Sequence, residues 1–420
     1  MRAFAAFRAV LCLSTALLMA ISWPLWVTGG SFPRVPWFGW VRLLPAWASW
    51  VRFVILLLGL IAASIPPGWS PFRSRSPLVL SGATANRGWS YRDAALILVL
   101  VLSVWTVLED QFRLQPWMYQ FLLMGFAIAA CSPSRAATLC RVFLIAQYVH
   151  SGLSKLDHEF RNEMGPWFLF HFCRALRIPL TAWSGPPYDA IIMAMPCVEI
   201  CVGVALAVRA RRLGVAGAVA LHAALLLILG PLGMRHSLNV LLWNVAMIAQ
   251  VVLLFGFGSI AASTEPSQRW ASVAASAVVI AATILPLGER SGFWDSWPSF
   301  ALYSSSNERT TLGLSGTRDG FPFPLNGWGT VGVSKRSWIQ LDLRRWSGEE
   351  RGGPLYPSAR ALNGVAEAMS QRYRGQRAAV VLHEGHADRR TGERRRVELD
   401  GLDAIRKFGD TFWLNAHPAR

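Results

Sequence analysis

The sequence predicts a polytopic α-helical membrane protein of about nine spans, followed by a C-terminal extracytoplasmic α+β domain. Three observations predict it. The 420 residues are 53% hydrophobic and 15% charged, with 20 tryptophans, which is more apolar surface than one water-soluble core can hide. Apolar runs of about 17–22 residues, the length a bilayer demands, recur through the first two thirds of the chain. Alternating, strand-like runs occur only after them. The charges divide the same way, with 21 basic and 9 acidic residues before Leu287 and 20 basic and 15 acidic ones from Gly288 onward. The chain therefore reads as a helical membrane domain over 1–287 and a soluble α+β domain over 288–420.

The first run, Phe4 to Val27, carries Arg2 and Arg8 ahead of its apolar centre as a signal peptide would. It is long and lacks a small-residue cleavage site, so it reads as a spanning helix. The others are Trp47 to Ile65, Ala94 to Leu108, Pro116 to Cys131, Ala136 to Leu153, Ala190 to Val208, Leu213 to Gly230, Leu238 to Phe257 and Trp270 to Leu287. Arginines gather in alternate loops: Arg73, Arg75, Arg87 and Arg92, then Arg135 and Arg141, then Arg209, Arg211 and Arg212. Positive charge stays on the cytoplasmic side, which puts the N-terminus inside the cell (inner) membrane and, after nine spans, the last domain outside the cytoplasm. Between Leu156 and Asp189 the stretch "GPWFLFHFCRALRIPL" sets Trp167, Phe168, Phe170 and Phe172 near His171, Arg174 and Arg177. It reads either as an amphipathic helix at the membrane interface or as a packing linker. Beyond Gly288, "TVGV", "WIQLDL", "RAAVVLHE" and "RRVELDG" read as strands, and Ser358 to Arg374 and Leu402 to Phe408 as helices.

The net charge of +17 raises the question of nucleic acid. The arginines of the first part stand singly between apolar runs, as at lipid headgroups, so the bilayer is the expected partner and nucleic acid is not. The six cysteines lie in or beside apolar segments without a disulfide framework. Cys197 and Cys201 would share a helix face, as small hydrophobes or as a redox pair.

Only three lysines occur, Lys155, Lys335 and Lys407, against 41 lysines and arginines together. Lys155 closes the fifth apolar run in "QYVHSGLSKLDHEF", where it could simply anchor a helix end at the headgroups. Arginine would serve there equally, but arginine cannot release its proton and lysine can. On a helix Tyr148, Ser151 and Lys155 fall on one face, with His150 and Ser154 on the adjacent stripe. Ionisable residues within spans point to function, which adds Glu199 and His222; the alternatives are an ion pair for Glu199 and a satisfied core imidazole for His222. Glu109, Asp110 and Arg113 in "EDQFR" read as an ion pair organising a turn rather than as catalysts. His383, Glu384 and His386 in "VLHEGHAD" lack the spacing of a metal site, and no metal is expected.

The element "YVHSGLSKLDHEF" resembles the signature of the horizontally transferred transmembrane (HTTM) domain family, whose members include the vitamin K-dependent γ-carboxylases. "GLSKLD" keeps the second lysine of the family's pair as Lys155 and has Ser154 in place of the first. The similarity runs from about Pro116 to Arg309, through "GVAGAVALHAALL" with His222 and "FWDSWPSFALYSSSNER". The family asparagine shortly after that histidine has no counterpart in the stretch. The resemblance implies chemistry on a reduced quinone of the menaquinol or vitamin K type, with Lys155 deprotonating the hydroquinone; beside it, the polar residues of the spans and the interfacial segment make His150 and His222 further candidate catalytic groups and Tyr148, Glu199, Trp167 and His171 candidate neighbours of the cofactor. A protein or peptide substrate would meet the outer domain. The reading from a different class is a non-enzymatic membrane scaffold whose outer domain binds another protein, with Lys155 as an anchor.

Overall fold

Among the described residues, nine long helices occupy the first two thirds of the chain. They belong to a computed structural model that describes residues 2–66, 90–179, 185–208, 210–257, 269–315, 329–333, 337–373 and 379–419. Arg73, Arg75, Arg87, Arg209 and the ends of the expected segments at Arg374 and Arg377 lie outside the described residues.

The long helices are α1 (Arg2–Ile21), α2 (Ala46–Ser64), α3 (Tyr91–Leu108), α4 (Pro116–Ala130), α5 (Pro133–Ser154), α7 (Pro186–Ala207), α8 (Arg211–Leu229), α9 (Leu238–Val251) and α10 (Arg269–Ile284), with the shorter α6 (Gly165–Leu176) between α5 and α7. Local chemistry sets their ends. Ser90 caps α3 by accepting from the Asp93 amide. Pro116 and Pro133 open α4 and α5, where a missing N–H costs nothing. The first run does not continue to Val27: α1 stops at Ile21, and Pro24 starts a separate turn over Trp23–Trp26.

Among the described residues, seven helices are long and apolar enough to cross a membrane, the composition of a polytopic helical membrane protein. The seven omit two of the nine runs expected from sequence. Pro116–Ala130 is only 15 residues long. Helix α5 has 22 residues but carries Arg135, Arg141, Gln147 and His150, which it can hold because it packs against α4, α7 and α10 rather than facing outward all round.

One end of the bundle is pinned by cations. Arg8 donates to the Ala63 carbonyl (2.9 Å) and to Asp93 (2.7 Å), joining α1, α2 and α3, and Arg141 of α5 donates to the Leu254 carbonyl (2.7 Å). At the other end the chain builds a five-stranded antiparallel sheet in the order β2-β3-β1-β4-β5, from β1 (Arg309–Ser315), β2 (Gly329–Val333), β3 (Ser337–Leu341), β4 (Ala379–Ala387) and β5 (Arg394–Asp400). Helix α11 (Leu343–Arg351) leads from the sheet, and α12 (Ala359–Arg372) and α13 (Gly401–Gly409) pack on it. The central strand β1 and helix α11 were not among the expected elements.

The C-terminal domain is welded to the bundle at "EDQFR". Glu109 accepts two bonds from Arg52 (2.7 and 2.6 Å) and one from the fully buried Arg113 (2.8 Å). Asp110 pairs with Arg351 of α11, whose guanidinium lies over the rings of Phe32 and Phe112. Arg360 of α12 donates to Gln111 (2.9 Å) and Asp295 (2.7 Å). Removing one member of such a buried pair strands a charge at a cost of about 3–5 kcal/mol, so the turn fixes how the domain sits on the helices.

Candidate functional site

Two glycines bring the candidate residues together. A Cβ on Gly152 of α5 would lie 2.6 Å from the Pro196 carbonyl oxygen and 2.6 Å from Ile200 Cγ1, and one on Gly203 of α7 would lie 2.8 Å from Val149 Cγ2. Small residues let two helices approach this closely. The crossing puts Glu199 of α7 against the end of α5, where Lys155 is the C-cap residue.

Lys155 is 4% exposed, and its ammonium donates to the Ser151 carbonyl (2.9 Å), the Ser151 hydroxyl (2.7 Å) and Glu199 Oε2 (2.8 Å). An ammonium has three hydrogens, so its donors are all used. Two helical turns back, the Tyr148 hydroxyl lies 2.8 Å from His222 Nε2, and His222 Nδ1 lies 2.7 Å from Asn244 Oδ1. The Asn244 amide nitrogen donates to the Val240 carbonyl (2.8 Å), which fixes its oxygen toward the imidazole. His222 therefore carries its proton on Nδ1, and Nε2 accepts from Tyr148. The Glu199 carboxylate acts electrostatically on both Tyr148 and His222, so the ion pair and the Tyr148–His222–Asn244 chain form one buried polar cluster.

The other expected site residues lie elsewhere. His150 turns toward α10 and donates from Nε2 to the Thr283 carbonyl (2.9 Å). Trp167 and His171 form their own edge-on ring pair on α6, with centroids 4.6 Å apart. On that helix Phe168, Leu169 and Cys173 are buried, while the apolar Trp167, Phe170 and Leu176 are exposed together with Arg174. Cys197 and Cys201 are exposed free thiols on α7.

Sequence reasoning missed Asn244, whose partner is 22 residues away, and the acids directly after Lys155. Asp157 accepts from the Phe160 amide (2.7 Å) and the Ser305 hydroxyl (2.7 Å), while Glu159 pairs with Arg309 and Arg394. These two carboxylates tie the end of α5 to the C-terminal domain. The only available signal was their density in "KLDHEF".

The residues of "VLHEGHAD" diverge. His383 is buried, accepts or donates at Thr310 (2.8 Å from Nδ1) and stacks on Phe408; burial pushes its imidazole down to about 4. His386 points the other way, with its ring nitrogens 3.9 Å from Glu289 and 4.0 Å from Glu308. Burial raises the Glu308 carboxyl above its ordinary range. Among the described residues no group of three or more His, Cys, Asp or Glu side chains is placed to hold a metal ion. No family model, curated protein or solved structure matches the chain.

Proposed function

We propose that the protein is a nine-pass integral membrane protein of the HTTM, γ-carboxylase-like kind that carries out proton-transfer chemistry on a lipid-soluble hydroquinone, with Lys155 as the base. The observation that carries this reading is the buried Lys155–Glu199 pair beside the Tyr148–His222–Asn244 chain. An ammonium and a carboxylate in a medium of low dielectric can exchange one proton and become a neutral amine and a neutral acid with no change in net charge, and a guanidinium cannot do this. Lys155 thereby gains a free lone pair without water.

The residues fit a hydroquinone by their donor and acceptor chemistry. Gln147 lies on the same stripe as Ser151 and Lys155, and its buried Oε1 has no hydrogen-bond partner among the described residues. That oxygen and the amine would accept from hydroxyls, and the Tyr148 hydroxyl would orient the ring. A bound hydroquinone supplies acidic hydroxyls and a pair of electrons. Tyr148 could hand its proton to His222 Nε2, and the resulting imidazolium would keep its Nδ1 proton hydrogen-bonded to Asn244.

Orientation follows from the cation-pinned end, which carries Arg2, Arg8, Arg92, Arg135, Arg141, Arg211, Arg212 and Arg269. Positive charge at that end supports a cytoplasmic N-terminus in the inner membrane and an extracytoplasmic C-terminal domain, which would meet a protein or peptide substrate. A second reading has one observation in its favour: the Lys155–Glu199 bridge joins α5 to α7 where the glycines cross, as a structural staple in a scaffold would.

Lys155→Arg separates the two. Lipid extracts of the purified protein are analysed by mass spectrometry for menaquinone, and oxygen-dependent hydroquinone consumption is followed in reconstituted bilayers. The proposal expects quinone in the extract and turnover that is lost in Lys155→Arg while the fold persists. Equal turnover in the variant, or none in either protein, leaves the staple.

A further inference from the structure

One tryptophan of the C-terminal domain stands apart from its core. Trp413, in the turn after α13, is 86% exposed, more than any other large apolar residue among those described. The turn that carries it is not loose. The Phe412 ring packs on Phe408 with centroids 5.2 Å apart, which leaves the next side chain in the chain outside the domain. Further on, Asn363 donates to the Ala416 carbonyl (3.4 Å), and His417 Nδ1 lies 2.7 Å from Glu367. The turn is thus fastened to α13 before Trp413 and to α12 after it, unlike a frayed terminus.

Asn415 fixes the depth of this turn against the bundle. Its amide donates to the Trp37 carbonyl (3.2 Å), its side chain donates to the Pro36 carbonyl (2.8 Å), and its own carbonyl accepts from Gln111 (2.7 Å). The Trp37 amide in turn donates to the carbonyl of Leu108, the last residue of α3 (3.0 Å). Helix α3 has 18 residues and is therefore about 27 Å long, close to the hydrocarbon thickness of a bilayer. Leu108, and with it Trp37 and Asn415, falls where hydrocarbon gives way to headgroups. Trp413 is two residues from Asn415, within about 7 Å of that level.

The neighbours at this level are aromatic too. Phe38 and Trp40 stack with centroids 5.7 Å apart and are 37% and 66% exposed, and Gly39 between them faces Asn415. Along α2 the exposed residues change from Trp47 and Trp50 at this end to Val54, Ile55 and Leu58 further in. Tryptophan above an aliphatic band is the pattern of a bilayer interface, where the body of the indole meets lipid and its N–H stays wet. Charge favours neither sign of headgroup, since Arg42 and Lys407 are exposed and so are Asp403 and Asp410. A contact built on indole rather than on charge suits zwitterionic lipid and withstands salt.

We propose that the C-terminal domain touches the bilayer through Trp413, which inserts beside Phe38 and Trp40 into the interfacial layer of the leaflet on that side. The domain is then held twice, by its buried ion pairs to the bundle and by this indole. The contact is independent of any chemistry at Lys155.

The test uses the full-length protein in nanodiscs of phosphatidylcholine, one copy per disc so that a second copy cannot cover the turn. A fraction of the lipid carries a diazirine near the carbonyl end of one acyl chain. After irradiation, cleavage behind Lys407 releases Phe408–Arg420, in which Trp413 is the single tryptophan, and mass spectrometry reads the lipid adduct. The adduct should form on this peptide, persist at high salt and fall about tenfold in Trp413→Ser, the effect of withdrawing one large apolar side chain from lipid, with the unfolding midpoint unchanged. Hydroxyl-radical footprinting of the same discs should oxidise Trp413 more slowly than free N-acetyltryptophanamide by a similar factor. An adduct confined to the spans, or oxidation of Trp413 at the free rate, places the indole in water and overturns the proposal. An adduct undiminished in Trp413→Ser overturns the assignment to this residue, and one stripped by salt overturns insertion in favour of headgroup attraction.

Discussion

Breaking the Lys155–Glu199 pair from one side should cost far more than removing it whole. In Glu199→Gln the ammonium stays buried with its charge uncompensated, and removing one member of a buried pair costs about 3–5 kcal/mol. Ser151 still accepts two of the three hydrogens and the new amide oxygen can accept the third, which places the loss near the lower end, about 3 kcal/mol. Lys155→Met leaves the carboxylate, which escapes part of its penalty by taking up a proton, so its loss should be about 2 kcal/mol. The double variant carries neither charge and should lose about 1 kcal/mol. The coupling within the cycle is then about 3–4 kcal/mol, well above the scatter of about 0.5 kcal/mol expected of independent sites. Equilibrium unfolding in mixed micelles, followed by tryptophan fluorescence, measures all four proteins under one condition. Losses that simply add would refute the reasoning, because the pair would then contribute nothing as a pair and Lys155 would have no buried partner to exchange its proton with.

Gly152→Val should separate α5 from α7, since the added Cβ meets a backbone carbonyl at 2.6 Å that no rotamer change can move; a loss of about 2–3 kcal/mol in the same unfolding assay is expected, with hydroquinone turnover lost alongside. Arg351→Met should strand Asp110, which is fully buried, and loosen the C-terminal domain from the bundle at a cost of about 3 kcal/mol, detected as faster proteolytic release of that domain. His383 has a folded-state value near 4 against an ordinary 6.5, so the unfolded chain takes up the proton first as pH falls. Its contribution is fully present above about pH 6.5 and is lost on the way down to about pH 4, a loss of about 2–3 kcal/mol. Thermal unfolding of wild type and His383→Phe across that range should show the wild type losing stability more steeply, and parallel curves would refute the assignment.

Local patterns in the sequence reached as far as local physics does. The stripe of Tyr148, Ser151 and Lys155 was legible because positions three and four apart on one helix share a face, and Ser151 does hold Lys155. Direction was not legible. His150 sits only a few residues from Tyr148, yet the rotation of α5 against α10 sends it to Thr283, and nothing in the run from Gln147 to Ser154 states which neighbour each stripe meets. The partners of the cluster come from 44 and 74 positions further on, and Asn244 from a third helix. The central strand β1, "RTTLGLS", has too few apolar residues to be read as a buried strand; it is made one by pairing on both edges, with β3 and with β4. Composition divides the chain at residue 287, and buried polar contacts cross that division. Arg351 and Arg360 from the soluble side complete the ion pairs of a turn at 109–113, while Asp157 and Glu159 reach back across the same junction from the residues next to Lys155. A load on the C-terminal domain is therefore carried to the end of α5 by short, buried polar contacts. That coupling gives the two readings of Lys155 different consequences. In a staple, moving the domain would strain a bond that is meant to hold, whereas in a base the same movement would change how far the ammonium sits from Glu199, and with it the ease of handing over the proton.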